Sequence, residues 1–271
     1  MKLSLALPAV NADGSPLTGP GFVHQVQTLE RLGFDGTWSF DNIGRGFPNF
    51  DPITAVAAAA AATSRIMVGT GILQVPLRHP VELANRILTA HLICGERLLL
   101  GVGAGSTRTD FEAVGQDYES RMQVLDSSLG IMRRLWNHEV VDGVQLAPRP
   151  ATLGGPPILI GSWHGSSWIQ RAAQEFDGWI ASARHTGAET LEPAIRRFRE
   201  LGGKRAVVTN ITVDLDAPDA EQEAHRFDIR CTPATARQRL RYLADLGYDE
   251  AVLVCRTPSE EHLAAIRALL P

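Results

Sequence analysis

Short apolar runs alternate along this chain with longer stretches in which apolar residues recur every three or four positions. The runs fall at 3–7, 36–40, 66–71, 98–102, 157–161, 178–181, 206–213 and 251–255. Their near-continuous apolar character is that of strands covered on both faces, as in a parallel sheet. Helical spacing fills the intervals near 20–32, 52–63, 80–93, 119–136, 166–175, 188–201, 233–246 and 259–269. Local start signals agree. Pro80 stands at a first helical position, and Asp51-Pro52 supplies an N-cap followed by a first-turn proline. The alanine-rich stretch 55–62 then reads as a tightly packed helix. Eight strands, each followed by a helix, predict an α/β fold, a single-domain (β/α)8 TIM barrel rather than an open sheet. Closure pairs 3–7 with 251–255, because an open sheet would leave one of these apolar runs as an exposed edge.

Two segments interrupt the alternation. Residues 138–156 contain Val140-Val141-Asp142-Gly143-Val144, a hairpin signal, and lead through Gly154-Gly155-Pro156 into the next strand. They predict an excursion over the barrel rather than a domain boundary. Residues 214–230 are polar and charged. With no linker in view, residues 1–271 are expected to form one barrel domain, for which about 250 residues is typical. A chain that is 44% hydrophobic and 21% charged can bury such a core. The net charge of −4 removes nucleic acid from the expected partners. The run 3–7 is too short for a signal peptide's apolar region or a membrane span, so no membrane partner is expected. Cys94, Cys231 and Cys255 lack metal-ligand spacing. They read as reduced structural thiols of a cytoplasmic protein, and no metal site is expected.

In a barrel, ligand groups come from the carboxyl ends of the strands and the loops after them. That rule selects the candidates. Strand two ends in Ser39-Phe40-Asp41-Asn42, where an amide at 42 can hydrogen-bond but cannot exchange a proton near neutral pH. Equally, Asp41 and Asn42 can serve only to satisfy loop backbone groups. Strand four opens into Gly103-Ala104-Gly105, which lets backbone approach a ligand closely. Asp110, the one carboxylate nearby, reads as an N-cap. The strongest anion candidate is Gly161-Ser162-Trp163-His164-Gly165-Ser166-Ser167, where backbone N–H groups, serine hydroxyls and a following helix converge. Trp163 and His164 in that loop, and Arg184 and His185 after strand six, are polar or aromatic groups that can face a pocket. Each is also explained by packing or local structure. Trp38 and Trp179, near strand edges, are explained by packing or as walls of a flat ring site.

Gly69-Thr70, then Arg78-His79-Pro80, a helix, Gly95-Glu96-Arg97-Leu98 and Gly101-Val102-Gly103-Ala104-Gly105 together resemble the luciferase-like superfamily of flavin-dependent oxidoreductases. Gly115, Tyr118 and Arg121, then Arg171-Ala172-Ala173 and Asp177-Gly178-Trp179, continue the likeness along nearly the whole chain. The resemblance implies a bacterial-luciferase-like barrel. It implies a cofactor held by Asp41, Thr70, Gly71, Ile72, Gly103, Arg121, Gly161, Ser162, Gly165, Ser166 and Ser167. It further implies a non-proline cis peptide with a bulge at Gly71-Ile72, and a substrate pocket lined by Phe40, Trp163, His164 and His185. There are three departures. Asn42 stands where relatives often carry histidine, Ser162 replaces a second glycine, and the loop after strand four lacks the glutamate of some hydride-transferring members. Asn42 is therefore expected to orient substrate rather than to act as a base.

The first expected activity is a two-component monooxygenase that receives reduced FMN from a separate NAD(P)H:flavin reductase. It would use O2 on a small organic substrate. The alternatives are an F420-dependent oxidoreductase that transfers hydride without activating oxygen, and a flavin-binding protein with no turnover. Family habit implies a homodimer built on the helices at 52–63 and 80–93.

Overall fold

A computed structural model describes residues 1–270 apart from 12, 47, 164 and 256–258. The strands are β1 (Lys2–Ala6), β2 (Gly36–Ser39), β3 (Met67–Thr70), β4 (Leu73–Gln74), β5 (Leu98–Gly103), β6 (Val140–Val141), β7 (Val144–Gln145), β8 (Ile158–Gly161), β9 (Gly178–Ser182), β10 (Ala206–Asp214), β11 (Ile229–Arg230) and β12 (Glu250–Val254). The helices are α1 (Gly19–Leu32), α2 (Pro52–Ala62), α3 (Pro80–Cys94), α4 (Arg108–Val114), α5 (Arg121–Trp136), α6 (Trp168–Gln174), α7 (Ala188–Glu200), α8 (Pro233–Leu246) and α9 (Glu260–Arg267). Each expected strand and helix is present, with ends shifted by one or a few residues. The element order is that of a (β/α)8 barrel. By contact the chain divides into two compact units, Met1–Trp38 with Leu159–Pro271, and Ser39–Ile158.

The first unit carries parallel strands in the order β8, β9, β10, β12, β1, β2. The first and last strands pair as expected, with Leu3 opposite Ala251 and Leu5 opposite Leu253. Leu3, Leu5, Val207, Val208, Val252 and Leu253 are buried, so the apolar runs form the core that their composition predicts. One carboxylate is buried with them. Glu250 accepts from Ser4 Oγ at 2.6 Å, Trp38 Nε1 at 2.8 Å and Arg205 Nη2 at 3.0 Å. A buried charge is tolerated only when paired and hydrogen-bonded in this way.

In the second unit, Asp51 caps α2 by accepting from Thr54 N at 2.9 Å, and Pro52 opens the helix as its sequence predicts. Ala55, Val56, Ala59 and Ala60 are buried along α2, and small side chains bring α2 close against α3. Strand β3 pairs β5 with Gly69 opposite Leu99, while β4 pairs it with Leu73 opposite Val102. Three residues on one side, 70–72, therefore face two on the other, 100–101, a bulge. The Gly71–Ile72 peptide bond within it is cis. The excursion is a β6–β7 hairpin turning on Asp142 and Gly143, both at positive φ, as a two-residue turn requires. Behind it, Gly155 lies against the Trp136 ring, where a Cβ would come within 2.3 Å.

Helix α4 was not expected. Its polar residues follow a glycine-rich strand end and read as loop. Phe111, fully buried, and Gly115 in the left-handed region at φ 69° supply its apolar anchor and its stop. Among the described residues, no helix is long and apolar enough to cross a membrane.

Candidate functional site

In the second unit, the loop after β2, the end of β4 and the segment after β5 meet in a buried polar cluster. Asp41 lies in the loop after β2, bonded to the bulge: its backbone N–H donates to Ile72 O at 3.3 Å, and Gly71 N donates to Ser39 O at 2.9 Å. Arg78, between β4 and α3, grips the Asp41 carboxylate with both terminal nitrogens, at 2.5 and 3.0 Å. Gln74 N donates to the same carboxylate at 2.9 Å. The Gln74 side chain then bridges two loops, its Nε2 donating to Asp41 O at 3.0 Å and to Asp110 Oδ2 at 2.8 Å. Asp110 on α4 is fully buried, and it also pairs with Arg45 and accepts from Ile43 N at 3.3 Å. It stands inside α4, so the N-cap reading is corrected: the cap position is Thr107, which makes no side-chain cap bond.

Electrostatics follow from this pairing. Burial by itself would raise the Asp110 carboxyl, but the Arg45 guanidinium and the Gln74 amide outweigh it and hold the group below its usual range. Asp110 is thus held as an ion, and the Asp41 carboxylate is occupied by Arg78 and Gln74 N. Asn42 sits beside them, half-buried, and its amide has no hydrogen-bond partner among the described residues. Phe40 and Ile72 are half-buried as well, while Thr70 and Gly103 are buried. The Thr70 hydroxyl donates to Gly101 O at 2.7 Å. His79 occupies the cap position of α3 without a side-chain cap bond.

Arg121 stands at the start of α5. Its guanidinium lies 3.8 Å over the Tyr118 ring, and Nη1 donates to Tyr118 O at 2.8 Å. Arg108 covers the same ring at 4.5 Å, and the Tyr118 hydroxyl donates to Ser106 O at 3.2 Å. Arg121 has no carboxylate partner among the described residues.

The first unit holds the expected anion loop after β8. Ser162 Oγ is buried and has no hydrogen-bond partner among the described residues. Ser162 O accepts from Trp179 Nε1 at 3.1 Å, which fixes the start of the loop to β9. Ser166 N donates to Trp163 O at 3.0 Å, and Ser166 Oγ accepts from Trp168 N at 3.1 Å. Gly165 and Ser167 are exposed beside them. Helix α6 has only seven residues, fewer than the spacing predicts. Its dipole is correspondingly small, and the serine hydroxyls carry more of the loop's donor capacity. Trp163 is 47% exposed, an unusual setting for an indole. Trp179 and Trp38 are buried, and Trp179 lies 5.7 Å from Phe198 and 6.1 Å from Tyr248, so packing explains it. His164 and the His185 side chain lie outside the described residues.

Sequence reasoning missed Arg45 and Gln74, and it saw Arg78 only as part of a pattern. A cation inside an apolar stretch needs a buried partner, so Arg78 could have prompted a search for Asp41. Gln74, flanked by Leu73 and Val75, carries no such signal.

Residues 1–230 match a family described as luciferase-like monooxygenase. The chain is 30% identical over 148 residues to the 4-hydroxyprotoasukamycin monooxygenase of Streptomyces nodosus subsp. asukaensis, covering 51% of this chain and 40% of that one. It thus spans less than two thirds of that relative. Among solved structures, monooxygenase RslO1 from Streptomyces bottropensis superposes with a TM-score of 0.82 at 20% identity, covering 99% of this chain and 97% of that one. The coenzyme F420 dependent tetrahydromethanopterin reductase from Methanopyrus kandleri gives 0.78 at 15% identity, covering 99% and 98%. These two likenesses establish the fold, the (β/α)8 barrel expected from the alternation of strand and helix.

Proposed function

The chain belongs to the luciferase-like monooxygenase family, and within it we propose a flavin-dependent monooxygenase that takes reduced FMN and O2 and oxygenates a small organic substrate. The observation that carries this reading is that, among the described residues of the polar cluster, each carboxylate is held by an arginine. Asp41 is spent on Arg78, Asp110 on Arg45 and Gln74, and position 42 is an amide. Hydride transfer from an alcohol needs a proton acceptor at the reacting oxygen, whereas oxygen chemistry depends more on a dry, shaped pocket. When bound, reduced FMN supplies the two electrons with which one atom of O2 enters the substrate and the other leaves as water.

The residues present fit such a cofactor. Ser162 Oγ, buried and unpartnered among the described residues, is a donor waiting for an acceptor, which is what a phosphate offers. Gly165, Ser166 and Ser167 would add donors from the same loop; within the second unit, Arg121 is a cation with no carboxylate partner among the described residues. Thr70, Gly71, Ile72 and Gly103 would back the ring. Asn42 would orient substrate through its open amide, with the neighbouring Phe40 excluding water. The reduced flavin would come from a separate NAD(P)H:flavin reductase. The protein would work as a homodimer joined through α2 and α3, where Leu92 and Ile93 are about half exposed. The second reading is an F420-dependent oxidoreductase, favoured by the structural likeness to an F420 dependent reductase.

The test mixes the protein with photoreduced FMN, admits oxygen and follows flavin absorbance in a stopped flow, with F420 affinity measured alongside. A reoxidation course that the protein changes, and that Asn42→His changes again in rate and pH dependence, supports the monooxygenase. Reoxidation at the free-solution rate together with tight F420 binding would overturn it. Ser162→Ala should weaken binding of the favoured cofactor about tenfold or more, since a charge-assisted hydrogen bond contributes roughly 1.5–3 kcal/mol.

A further inference from the structure

Lysine is rare in this chain: Lys2 and Lys204 stand among 26 basic residues. Both line one cavity of about 610 Å³ in the first unit, together with Arg205 and Arg267. The topology brings them there. Lys2 opens β1, and Lys204 and Arg205 lead directly into β10. Strand β12 lies between the two, with Glu250 opposite both Lys2 and Val207. The cavity therefore sits at the amino ends of three adjacent parallel strands, the opposite end of this sheet from the 161–167 loop.

Its charge is unbalanced. Asp249 is already spent on Arg199 at 2.8 Å and on Ala206 N at 2.6 Å, and Asp35 accepts from Leu3 N at 2.8 Å. Arg267 donates only to carbonyls, Gly33 O at 2.7 Å and Leu270 O at 2.6 Å, which leaves its charge uncompensated. Neither lysine ammonium pairs with a carboxylate among the described residues. Arg205 gives Nη2 to Glu250. Lys2, Lys204 and Arg267, none in an ion pair among the described residues, thus face a cavity that holds one carboxylate without a cation partner there, Asp35, in a protein of net charge −4.

We propose that this cavity binds a small phosphorylated anion. Two ammoniums and the Arg267 guanidinium suit the several oxygens of a phosphate. The volume exceeds that of a bare ion and matches a phosphate carried on a small organic group. The site is independent of the flavin reading.

Because there are two lysines, reductive ¹³C-dimethylation, which preserves their charge, yields two lysine resonances in the full-length protein. Pyrophosphate, the probe, should move both along one saturating curve, with sodium chloride at equal ionic strength leaving them in place. The Lys2→Gln/Lys204→Gln double variant, at exposed positions, should weaken pyrophosphate binding at least about tenfold by calorimetry. The Arg196→Gln/Arg197→Gln double variant likewise removes two positive charges, from the exposed face of α7, and should leave binding intact. Shifts that do not saturate, shifts that chloride reproduces, or equal affinity in the lysine double variant and the wild type would overturn the proposal.

Discussion

Gly105 is held at φ 83°, and a Cβ there would come 2.1 Å from Gln74 Oε1. That oxygen cannot easily retreat, because Gln74 Nε2 is anchored on Asp41 O and on the Asp110 carboxylate. Gly105→Ala should therefore destabilise the fold by about 2–4 kcal/mol, the left-handed backbone and the overlap both contributing. Denaturant unfolding measures it. In that background Gln74→Ala should cost less than it costs alone, because it also relieves the overlap. Strict additivity of the two would mean that the residues do not meet. At this scale the sequence was legible where backbone chemistry is distinctive. The glycines after β5, the Asp51 cap and the Asp142-Gly143 turn follow from local rules. Gln74 was not legible, because its role comes from two carboxylates 33 and 36 positions away.

Helix α4 and the loop after β2 are joined chiefly through one side chain, Asp110, which takes Arg45 and Ile43 N from that loop. Its carboxyl is held below its ordinary value, so the folded state favours the ion. The stability it contributes is then present above the unfolded value of about 3.9 and is lost as pH falls through the lowered folded value. Asp110→Asn should cost roughly 2–3 kcal/mol at neutral pH. Unfolding midpoints measured from pH 6 downwards should show the gap to wild type closing below about pH 4. A gap that stays constant into acid would mean that the charge is irrelevant to the junction. The loop itself could be read from its glycines, and the aspartate was noticed but assigned to a cap. Helix α4 escaped because a seven-residue helix has barely two turns in which periodicity can show.

Over the whole chain, the alternation of apolar run and helical spacing was enough to give the fold, since a parallel sheet covered on both faces leaves few other arrangements. Assembly was not legible in that way. A dimer face need only be somewhat more apolar than the rest of the surface, as at Leu92 and Ile93 on α3. Light scattering at micromolar concentration should give twice the chain mass of 29.4 kDa, and Leu92→Glu with Ile93→Lys should shift it to the monomer. A monomeric wild type would remove α3 as an interface. The placement of Lys2 and Lys204 also bears on handling the protein. A support coupled through side-chain amines grips the first unit by the amino ends of its strands. Every immobilised molecule then presents the far end of β8, with Ser162 and Trp163, outward to the flowing solution.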